Sequence, residues 1–199
     1  MRKNGFFAMM TRMRNITRWG LMRNNITENL TEHSYDTAVT AHALAVIGKE
    51  KFGKDIDPGQ IAAVALFHDA SEIITGDLPT PVKYNNPAIR SAYKSIEQAA
   101  ADSLLQMLPG ELRPSYKILF DFETDDPELY RYVKAADKIS AYIKCVEELR
   151  GGNDEFRRAA IQTREAIAKM AMPEADYYME QFAPAFSLSL DELQEEDNQ

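Results

Sequence analysis

A histidine and two acidic residues stand close together at the end of an apolar run. His68 and Asp69 are adjacent, and Glu72 follows one helical turn later, within residues 64–72. A helix advances by about 100° per residue, so Glu72 is expected to lie over both neighbours. A neutral imidazole beside a carboxylate is a good ligand pair for one divalent cation, and Glu72 is then placed to move a proton beside the metal. The alternative is a chance His-Asp pair with a solvated glutamate.

A second histidine is needed to complete such a site, and the chain has three histidines in all. A helix is predicted from a cap at Thr31 to about Glu50, with Gly53 ending it. His33 lies in its first turn, and His42 follows nine residues later, about 180° around the helix. The two cannot serve one site. We therefore expect His42 to be packed and hydrogen-bonded, which leaves His33 to join His68.

Asp137 is the candidate for a fourth ligand. It lies among small residues of a helix predicted to open at Asp126-Pro127 and to run to Leu149. A carboxylate in such a closely packed segment needs a partner. A salt bridge with Lys134 or Lys138 is one solution. A His, His, Asp, Asp ligand set for a divalent ion is the other.

Two further stretches have groups suited to a phosphorylated ligand. Arg18 and Trp19 offer a planar bidentate donor next to a flat apolar surface, although a surface arginine beside a half-buried tryptophan is the commoner arrangement. Residues 76–81, Gly-Asp-Leu-Pro-Thr-Pro, follow Glu72 by one turn and are stiffened by two prolines. We expect this loop to form a wall of the substrate site, with a simple inter-helix turn as the alternative.

Composition limits the class of protein. The chain has 199 residues, of which 45% are hydrophobic and 27% charged, as expected for one globular domain. Its net charge of −8 opposes binding to nucleic acid or to an anionic membrane surface. Cys145 is the single cysteine, which favours a reducing compartment and hence the cytoplasm. The Arg-rich start is typical of a transit peptide too, but Phe6, Met9, Met10 and Met13 repeat at helical spacing and predict a docking face.

No segment shows sustained period-two alternation, and no internal repeat is found. The predicted fold is therefore a single-domain, all-α helical bundle over residues 1–190. Residues 191–199 form an acidic segment, which we expect to be a solvated, mobile tail.

With these residues in place, the pattern H…HD…D resembles the HD-domain metal phosphohydrolases. More narrowly, the chain is similar to the bacterial HD-domain 5'-deoxynucleotidases, and the likeness covers essentially its whole length. The pattern H…HD…D alone is moderately specific for this family. Together with the Gly-Asp-Leu-Pro-Thr-Pro loop it is strongly specific. The similar segments are Arg18-Trp19, Thr31-Glu32-His33-Ser34, residues 67–72, residues 75–84, Ala135-Ala136-Asp137 and residues 186–192.

This resemblance implies an HD-domain fold and a cytoplasmic, homodimeric hydrolase that dephosphorylates deoxyribonucleoside 5'-monophosphates. The implied cofactor is one divalent transition metal ion, such as cobalt or manganese. It implies Glu72 as the catalytic carboxylate and Arg18 as the phosphate-orienting residue. The implied metal ligands are His33, His68, Asp69 and Asp137. The implied substrate contacts are Arg18, Trp19, His33, Asp69, Asp77, Leu78, Pro79, Thr80 and Asp137.

Four alternative functions can be weighed on the sequence. A dGTP triphosphohydrolase or a bis-guanosine alarmone hydrolase shares H…HD…D but releases triphosphate or pyrophosphate. A dinuclear HD phosphodiesterase needs more histidines than the three present. A catalytically silent nucleotide-sensing domain would have no phosphatase activity.

Overall fold

The computed structural model describes residues 4–83, 86–121 and 126–195. Its centre is formed by two long helices, α2 (Leu30–Phe52) and α8 (Pro127–Arg150), which pack against each other in antiparallel orientation. The side chains of residues 80, 81 and 195 are outside this description. Within it, 3₁₀ segments cover Thr11–Asn15, Asp154–Phe156 and Ala183–Ser187. The α-helices are α1 (Phe6–Met10), α2 (Leu30–Phe52), α3 (Pro58–Phe67), α4 (Glu72–Thr75), α5 (Thr80–Lys83), α6 (Pro87–Leu105), α7 (Arg113–Lys117), α8 (Pro127–Arg150), α9 (Arg157–Ala168), α10 (Pro173–Gln181) and α11 (Leu190–Glu195).

The all-α prediction is confirmed, and among the described residues β pairing is limited to one isolated antiparallel bridge between Thr17 and Asn29. Small side chains bring the central helices together. Ala38, Ala41 and Ala45 of α2 are buried in the same cluster as Ala135 and Ala136 of α8. Small residues let helix axes approach closely. This packing brings the first turn of α2, with His33, close to Asp137 in α8.

Helix α2 begins two residues earlier than predicted. Asn29, rather than Thr31, is the N-cap, and its side-chain oxygen accepts hydrogen bonds from the backbone N–H groups of Thr31 (2.9 Å) and Glu32 (3.1 Å). Glu32 accepts a bond from the Asn29 N–H in return, at 2.9 Å. This reciprocal capping box favours Asn29, because a cap at Thr31 would not place a glutamate three residues later. The predicted end at Gly53 is confirmed by its left-handed φ of 64°.

The stretch around His68 is not one continuous helix. Helix α3 ends at Phe67, and four turn residues separate it from α4, which starts at Glu72. Here the backbone tightens to i→i+3 bonds, such as Glu72 N to Asp69 O at 2.9 Å and Ala70 N to Phe67 O at 3.0 Å. The tighter winding changes the angle between successive side chains. The prediction that His68 and Glu72 lie on one regular helix was therefore wrong.

The predicted starts of α3 and α8 are confirmed. Asp57 caps α3 by accepting from Gly59 N at 2.8 Å, and Asp126 caps α8 by accepting from Leu129 N at 2.9 Å. In each helix a proline occupies the first turn, where no intrahelical N–H bond is lost.

The N-terminal residues pack into the fold as a docking face. Phe6 is fully buried in a cluster with Leu104, Leu105 and Leu108, and Met13 is buried as well. The Phe6 ring packs edge-on against Tyr116, with 5.1 Å between ring centroids.

At the other end of the chain, Leu190–Glu195 is helical, so part of the segment predicted as a mobile tail has regular structure. Residues 196–199 lie outside the described residues, and the boundary at residue 190 stays a prediction. Among the helices described, none combines the length and apolar character that crossing a bilayer requires.

Candidate active site

His33, His68 and Asp69 each offer one ligand atom within 4.8 Å of the others. His33 comes from α2, whereas the other two lie in the turn after α3. Asp69 Oδ2 lies 3.1 Å from His68 Nε2 and 3.5 Å from His33 Nε2. The structure therefore brings together three of the four predicted metal ligands at one point.

The neutral tautomer of His68 is suited to bind a metal. Its Nδ1 lies 2.7 Å from the carbonyl oxygen of Ala65, and only the ring can supply the hydrogen in that contact. In the neutral ring the lone pair is therefore on Nε2. Nε2 is buried and has no hydrogen-bond partner among the described residues. An unpartnered imidazole nitrogen beside a carboxylate fits a divalent cation, and a backbone carbonyl that fixes the ring is a common feature of metal-binding histidines.

Asp137 lies at the edge of this group. Its Oδ1 is 3.3 Å from His33 Nε2, and its Oδ2 is 3.5 Å from Lys134 Nζ. The sequence left two roles open for Asp137, a fourth metal ligand or a salt-bridge partner. The two contacts use different oxygens of its carboxylate, so neither role excludes the other. The lysine neutralises the outer oxygen and leaves the inner one directed at the histidine.

Two hydroxyl groups hold His33 in place. Ser140 Oγ is 3.3 Å from Nδ1, and Thr37 Oγ1 is 3.5 Å from Nε2. The ring is fully buried, and its orientation is therefore fixed before any ion binds.

The electrostatics of the cluster favour a positive charge at its centre. Burial lowers the pKa of His68, but the carboxylates of Asp69 and Asp137 outweigh it and the net pKa is raised. For Asp69, burial raises the pKa, but His68 and His33 outweigh it and the net pKa is lowered. For His33, burial lowers the pKa and Arg18 lowers it further. Carboxylates that stay ionised in a buried site are what a cation requires.

Glu72 is a further buried acidic residue that interacts with this cluster. It is 5% exposed, and its Oε2 has no hydrogen-bond partner among the described residues. Burial, followed by the charges of Asp69 and Asp77, raises the pKa of Glu72 well above its ordinary value of 4.5. A buried carboxyl group with a raised pKa is suited to proton transfer.

The predicted substrate loop begins at Gly76, whose φ of 74° requires a residue without a side chain. Tyr93 from α6 donates to the Gly76 carbonyl oxygen at 3.1 Å and so fixes the start of the loop. Asp77, Leu78 and Pro79 follow and are half-buried. Burial raises the pKa of Asp77, although Arg18 lowers it. Thr80 begins α5, and its side chain is outside the described residues.

Arg18 contacts the cluster through Asp69, and Trp19 follows it in the chain. Arg18 Nη1 donates to Asp69 Oδ2 at 3.3 Å, and Arg18 Nε donates to Glu28 Oε2 at 3.2 Å. Burial lowers the pKa of Arg18, but Asp69 and the other nearby carboxylates outweigh it and raise the net value. A buried arginine within reach of a metal ligand is well placed to meet a phosphate.

A cavity of about 160 Å³ opens beside His68 and Asp69 between α6 and α8. Its wall includes four basic residues, Lys83, Arg90, Lys94 and Lys134, and three acidic ones, Asp69, Glu97 and Asp121. Lys83 Nζ lies 2.7 Å from Glu97 Oε1 within this wall. The surface next to the candidate metal ligands is thus polar and carries charges of both signs.

Some contributors were missed by sequence reasoning. His42 is exposed, so the expectation that it packs in the interior was wrong, although it does face away from His33. Glu28, Ser140 and Tyr93 support site residues from distant positions. None of them has a local sequence signal, apart from the small-residue pattern around Ser140.

The loop that carries Arg18 and Trp19 is anchored to α8 through a buried ion pair. Glu148 is fully buried and accepts from Asn25 N at 2.9 Å and Ile26 N at 3.0 Å. Lys144 Nζ is 2.5 Å from Glu148 Oε1 and also donates to the Ile26 carbonyl oxygen. Burial raises the pKa of Glu148, but these hydrogen bonds outweigh it and lower the pKa from 4.5 to about 2.

This anchor predicts how stability depends on pH. A carboxyl whose pKa is lowered by folding stabilises the fold above its unfolded pKa, and that contribution is lost as pH falls through the folded pKa. Glu148→Gln is therefore expected to lower the free energy of unfolding by about 3 to 5 kcal/mol near neutral pH, because Lys144 is left unpaired. The difference in unfolding free energy between Glu148→Gln and wild type should narrow between pH 4.5 and about 2. Urea unfolding at several pH values measures this difference. Glu147→Gln, at an exposed neighbour, is the control, and an equal loss there would contradict the anchor.

Comparisons with known proteins identify a family for the chain. The family model of YfbR-like 5'-deoxynucleotidases matches residues 5–186. A protein of Yersinia pestis (strain Pestoides F) named 5'-deoxynucleotidase is 49% identical over 188 residues, which is 94% of this chain and 95% of that protein.

Solved structures support the fold. An HD-domain phosphohydrolase from Listeria innocua has a TM-score of 0.79 at 22% identity, covering 91% of this chain and 87% of its own. The HD phosphohydrolase of cyanophage S-2L, bound to dA and one catalytic Zn²⁺ ion, has a TM-score of 0.61 at 20% identity and covers 89% of this chain and 95% of its own. The HD-domain fold suggested by the sequence is thereby confirmed. The chain belongs to the YfbR-like 5'-deoxynucleotidase family.

Proposed function

We propose that this chain is a metal-dependent phosphatase that hydrolyses deoxyribonucleoside 5'-monophosphates to deoxyribonucleosides and phosphate. One observation carries the proposal. His68 Nε2, which makes no hydrogen bond among the described residues, lies 3.1 Å from Asp69 Oδ2, and the same oxygen accepts from Arg18 Nη1 at 3.3 Å. The family of the chain supports the choice of a monophosphate substrate over the triphosphate and alarmone substrates considered above.

His33, His68, Asp69 and Asp137 are the proposed metal ligands. A divalent ion bound there would lower the pKa of water and offset phosphate charge. Two imidazoles and two carboxylates suit manganese, iron, cobalt, nickel or zinc. A dinuclear site is disfavoured, since the chain has three histidines and His42 is exposed on the far side of α2.

The chain's own residues would then complete the reaction. Arg18 is proposed to hold the non-bridging phosphate oxygens with its remaining N–H groups. Water attacks phosphorus in line with the leaving 5' oxygen, and Glu72 moves a proton from the nucleophile or to that oxygen.

The nucleoside is proposed to lie between Trp19 and the loop from Asp77 to Thr80. Asp77 would accept the sugar 3'-hydroxyl, and Trp19 would exclude a 2'-hydroxyl by its bulk. Leu78, Pro79 and Thr80 would contact the rest of the nucleoside. A half-buried Asp77 near the positive Arg18 supports this placement, because a buried acceptor that loses its donor is penalised.

We further propose that the protein works in the cytoplasm as a homodimer and without nucleic acid or a membrane as partner. The net charge of −8 and the single buried Cys145 support the compartment and the absence of anionic partners. A solution mass of one chain would contradict the dimer.

Orthophosphate release from dAMP and AMP tests the function and the role of Trp19 together. Wild type is expected to prefer dAMP, and Trp19→Ala is expected to lower the dAMP:AMP ratio of kcat/KM by roughly tenfold, as for other small steric differences in a pocket. Trp19→Phe keeps most of the ring and should keep most of the ratio. A wild type that releases no orthophosphate from dAMP contradicts the function. An unchanged ratio in Trp19→Ala contradicts the role of the indole alone.

A further inference from the structure

We infer that Glu28 is a positioning residue that holds the phosphate-orienting Arg18 and the sugar-facing Trp19 in one fixed arrangement. This inference rests on the proposed function for the roles of those two side chains. It adds a residue from outside the ligand set and assigns it a defined effect on both rate and sugar selectivity.

One carboxylate oxygen makes both contacts. Glu28 Oε2 accepts from Trp19 Nε1 at 2.8 Å and from Arg18 Nε at 3.2 Å. The side chains of Arg18 and Glu28 are 13% and 9% exposed, respectively, so water competes little for these bonds. Because the two donors share an acceptor, displacement of one side chain changes the position of the other.

The backbone of Glu28 ties this arrangement to the metal-ligand helix. The Glu28 carbonyl oxygen accepts from Arg18 N at 3.0 Å, next to the bridge between Thr17 and Asn29. Asn29 is the N-cap of α2, the helix that carries His33 in its first turn. Glu28 thus links the loop that carries Arg18 and Trp19 to helix α2, through hydrogen bonds of both its main chain and its side chain.

Trp19 has a strained backbone that needs such support. Its φ is 59°, a left-handed conformation that bulky residues rarely adopt. Such conformations persist where surrounding contacts enforce them. The indole packs on Phe156 with ring centroids 5.3 Å apart, and the bond to Glu28 fixes its other edge.

Glu28 also determines which edge of the guanidinium is available. Arg18 gives Nε to Glu28 and one N–H of Nη1 to Asp69. These are its two side-chain hydrogen bonds in the described part of the chain, so three of its five N–H groups remain for a phosphate. Without Glu28, the guanidinium is free to turn about its last torsions and to pair with Asp69 in other ways.

Removing Glu28 should therefore reduce both rate and selectivity. Glu28→Ala is expected to lower kcat/KM for dAMP by about 10²-fold, the cost of a misplaced positioning group, and to lower the dAMP:AMP ratio. Glu28→Gln keeps an oxygen for the indole N–H but loses the charge that faces Arg18, so it should retain the ratio and lose part of the rate.

A double-substitution cycle with Arg18→Ala, together with tryptophan emission, tests the inference. If Glu28 acts through Arg18, Glu28→Ala in the Arg18→Ala background should cost at least about tenfold less than in wild type, whereas independent effects add. Trp19 is the single tryptophan of the chain, so its emission reports its surroundings without metal or substrate. We expect the emission of Glu28→Ala to shift to the red and its quenching by acrylamide to increase, with Glu28→Gln close to wild type.

An additive cycle, or an emission unchanged in Glu28→Ala, overturns the joint positioning role. Glu147→Gln is the control for loss of one acidic charge and should leave both measurements unchanged. Thermal unfolding of each variant checks that it is folded. If Glu28→Ala is not, the partial loss of rate in Glu28→Gln carries the test, because it should shrink in the Arg18→Ala background. A wild type inactive on dAMP would contradict the proposed function, while the emission result would still decide whether Glu28 holds Trp19.

Discussion

Glu72→Ala is expected to lower the turnover of dAMP by a factor of about 10² to 10⁴, the range for loss of a general acid or base. Binding of metal and nucleotide should remain nearly intact. This combination is expected because Glu72 is proposed to move a proton and not to bind the metal.

The position of Glu72 explains why the effect should be confined to turnover. Its side chain is buried, with Oε2 unpartnered within the described residues. It therefore supports no other side chain through that oxygen. Its backbone is held by α4, where the Glu72 carbonyl oxygen accepts from Gly76 N at 2.8 Å. Truncation thus removes a proton carrier and leaves the surrounding scaffold in place.

Glu72→Gln is the matched variant, because it keeps the shape and removes the titrating group. It should be as slow as Glu72→Ala. Metal content and the dissociation constant of dAMP, measured by calorimetry, should stay within a few-fold of wild type for both. Turnover retained in Glu72→Gln would refute proton transfer by this residue, and joint loss of metal and turnover would make Glu72 a ligand instead.

The sequence predicted correctly those features that depend on residues close together in the chain, such as helix periodicity and helix caps. The 180° separation of His33 from His42 follows from helix periodicity, and it holds because α2 is regular over both positions. Likewise, Asp57-Pro58 and Asp126-Pro127 act as helix starts because the cap and the proline both act within one turn.

The missed features depend on contacts between distant residues or on competition between similar local signals. Asn29 and Thr31 are both good caps, and the reciprocal bond of Glu32 decides between them. The tightening after Phe67 has no proline or glycine to mark it. Glu28 could not be recognised as a partner of Arg18 and Trp19, because only the bridge between Thr17 and Asn29 brings them together. The expectation that His42 is packed was wrong because its face of α2 is exposed, and helix periodicity alone does not show which face is buried.

Asp137→Asn is the second substitution with a large expected effect. If Asp137 Oδ1 is the fourth ligand next to His33, the substitution should reduce metal affinity by at least the roughly 100-fold that loss of an outer partner causes. Activity should fall with metal content and recover in part when excess metal is added. If Asp137 acts mainly through its ion pair with Lys134, loss of the lysine should lower metal content as much as loss of the carboxylate.

Lys134→Met is the matched control for that pair. It removes the cation 3.5 Å from Asp137 Oδ2 and leaves the inner oxygen facing His33. Metal retention in Lys134→Met should therefore be much closer to wild type than in Asp137→Asn. Equal metal loss in both variants would favour the salt bridge as the feature that maintains the site.

The most direct measurement is orthophosphate formed from dAMP as a function of bound divalent metal per chain, in metal-stripped wild type reloaded with cobalt or manganese. The account predicts negligible release without metal and a rate that rises linearly until about one ion is bound per chain. It also predicts that Asp137→Asn needs far more free metal to reach the same occupancy. A full rate in stripped protein, a rate that requires two ions, or no orthophosphate at full occupancy would contradict it.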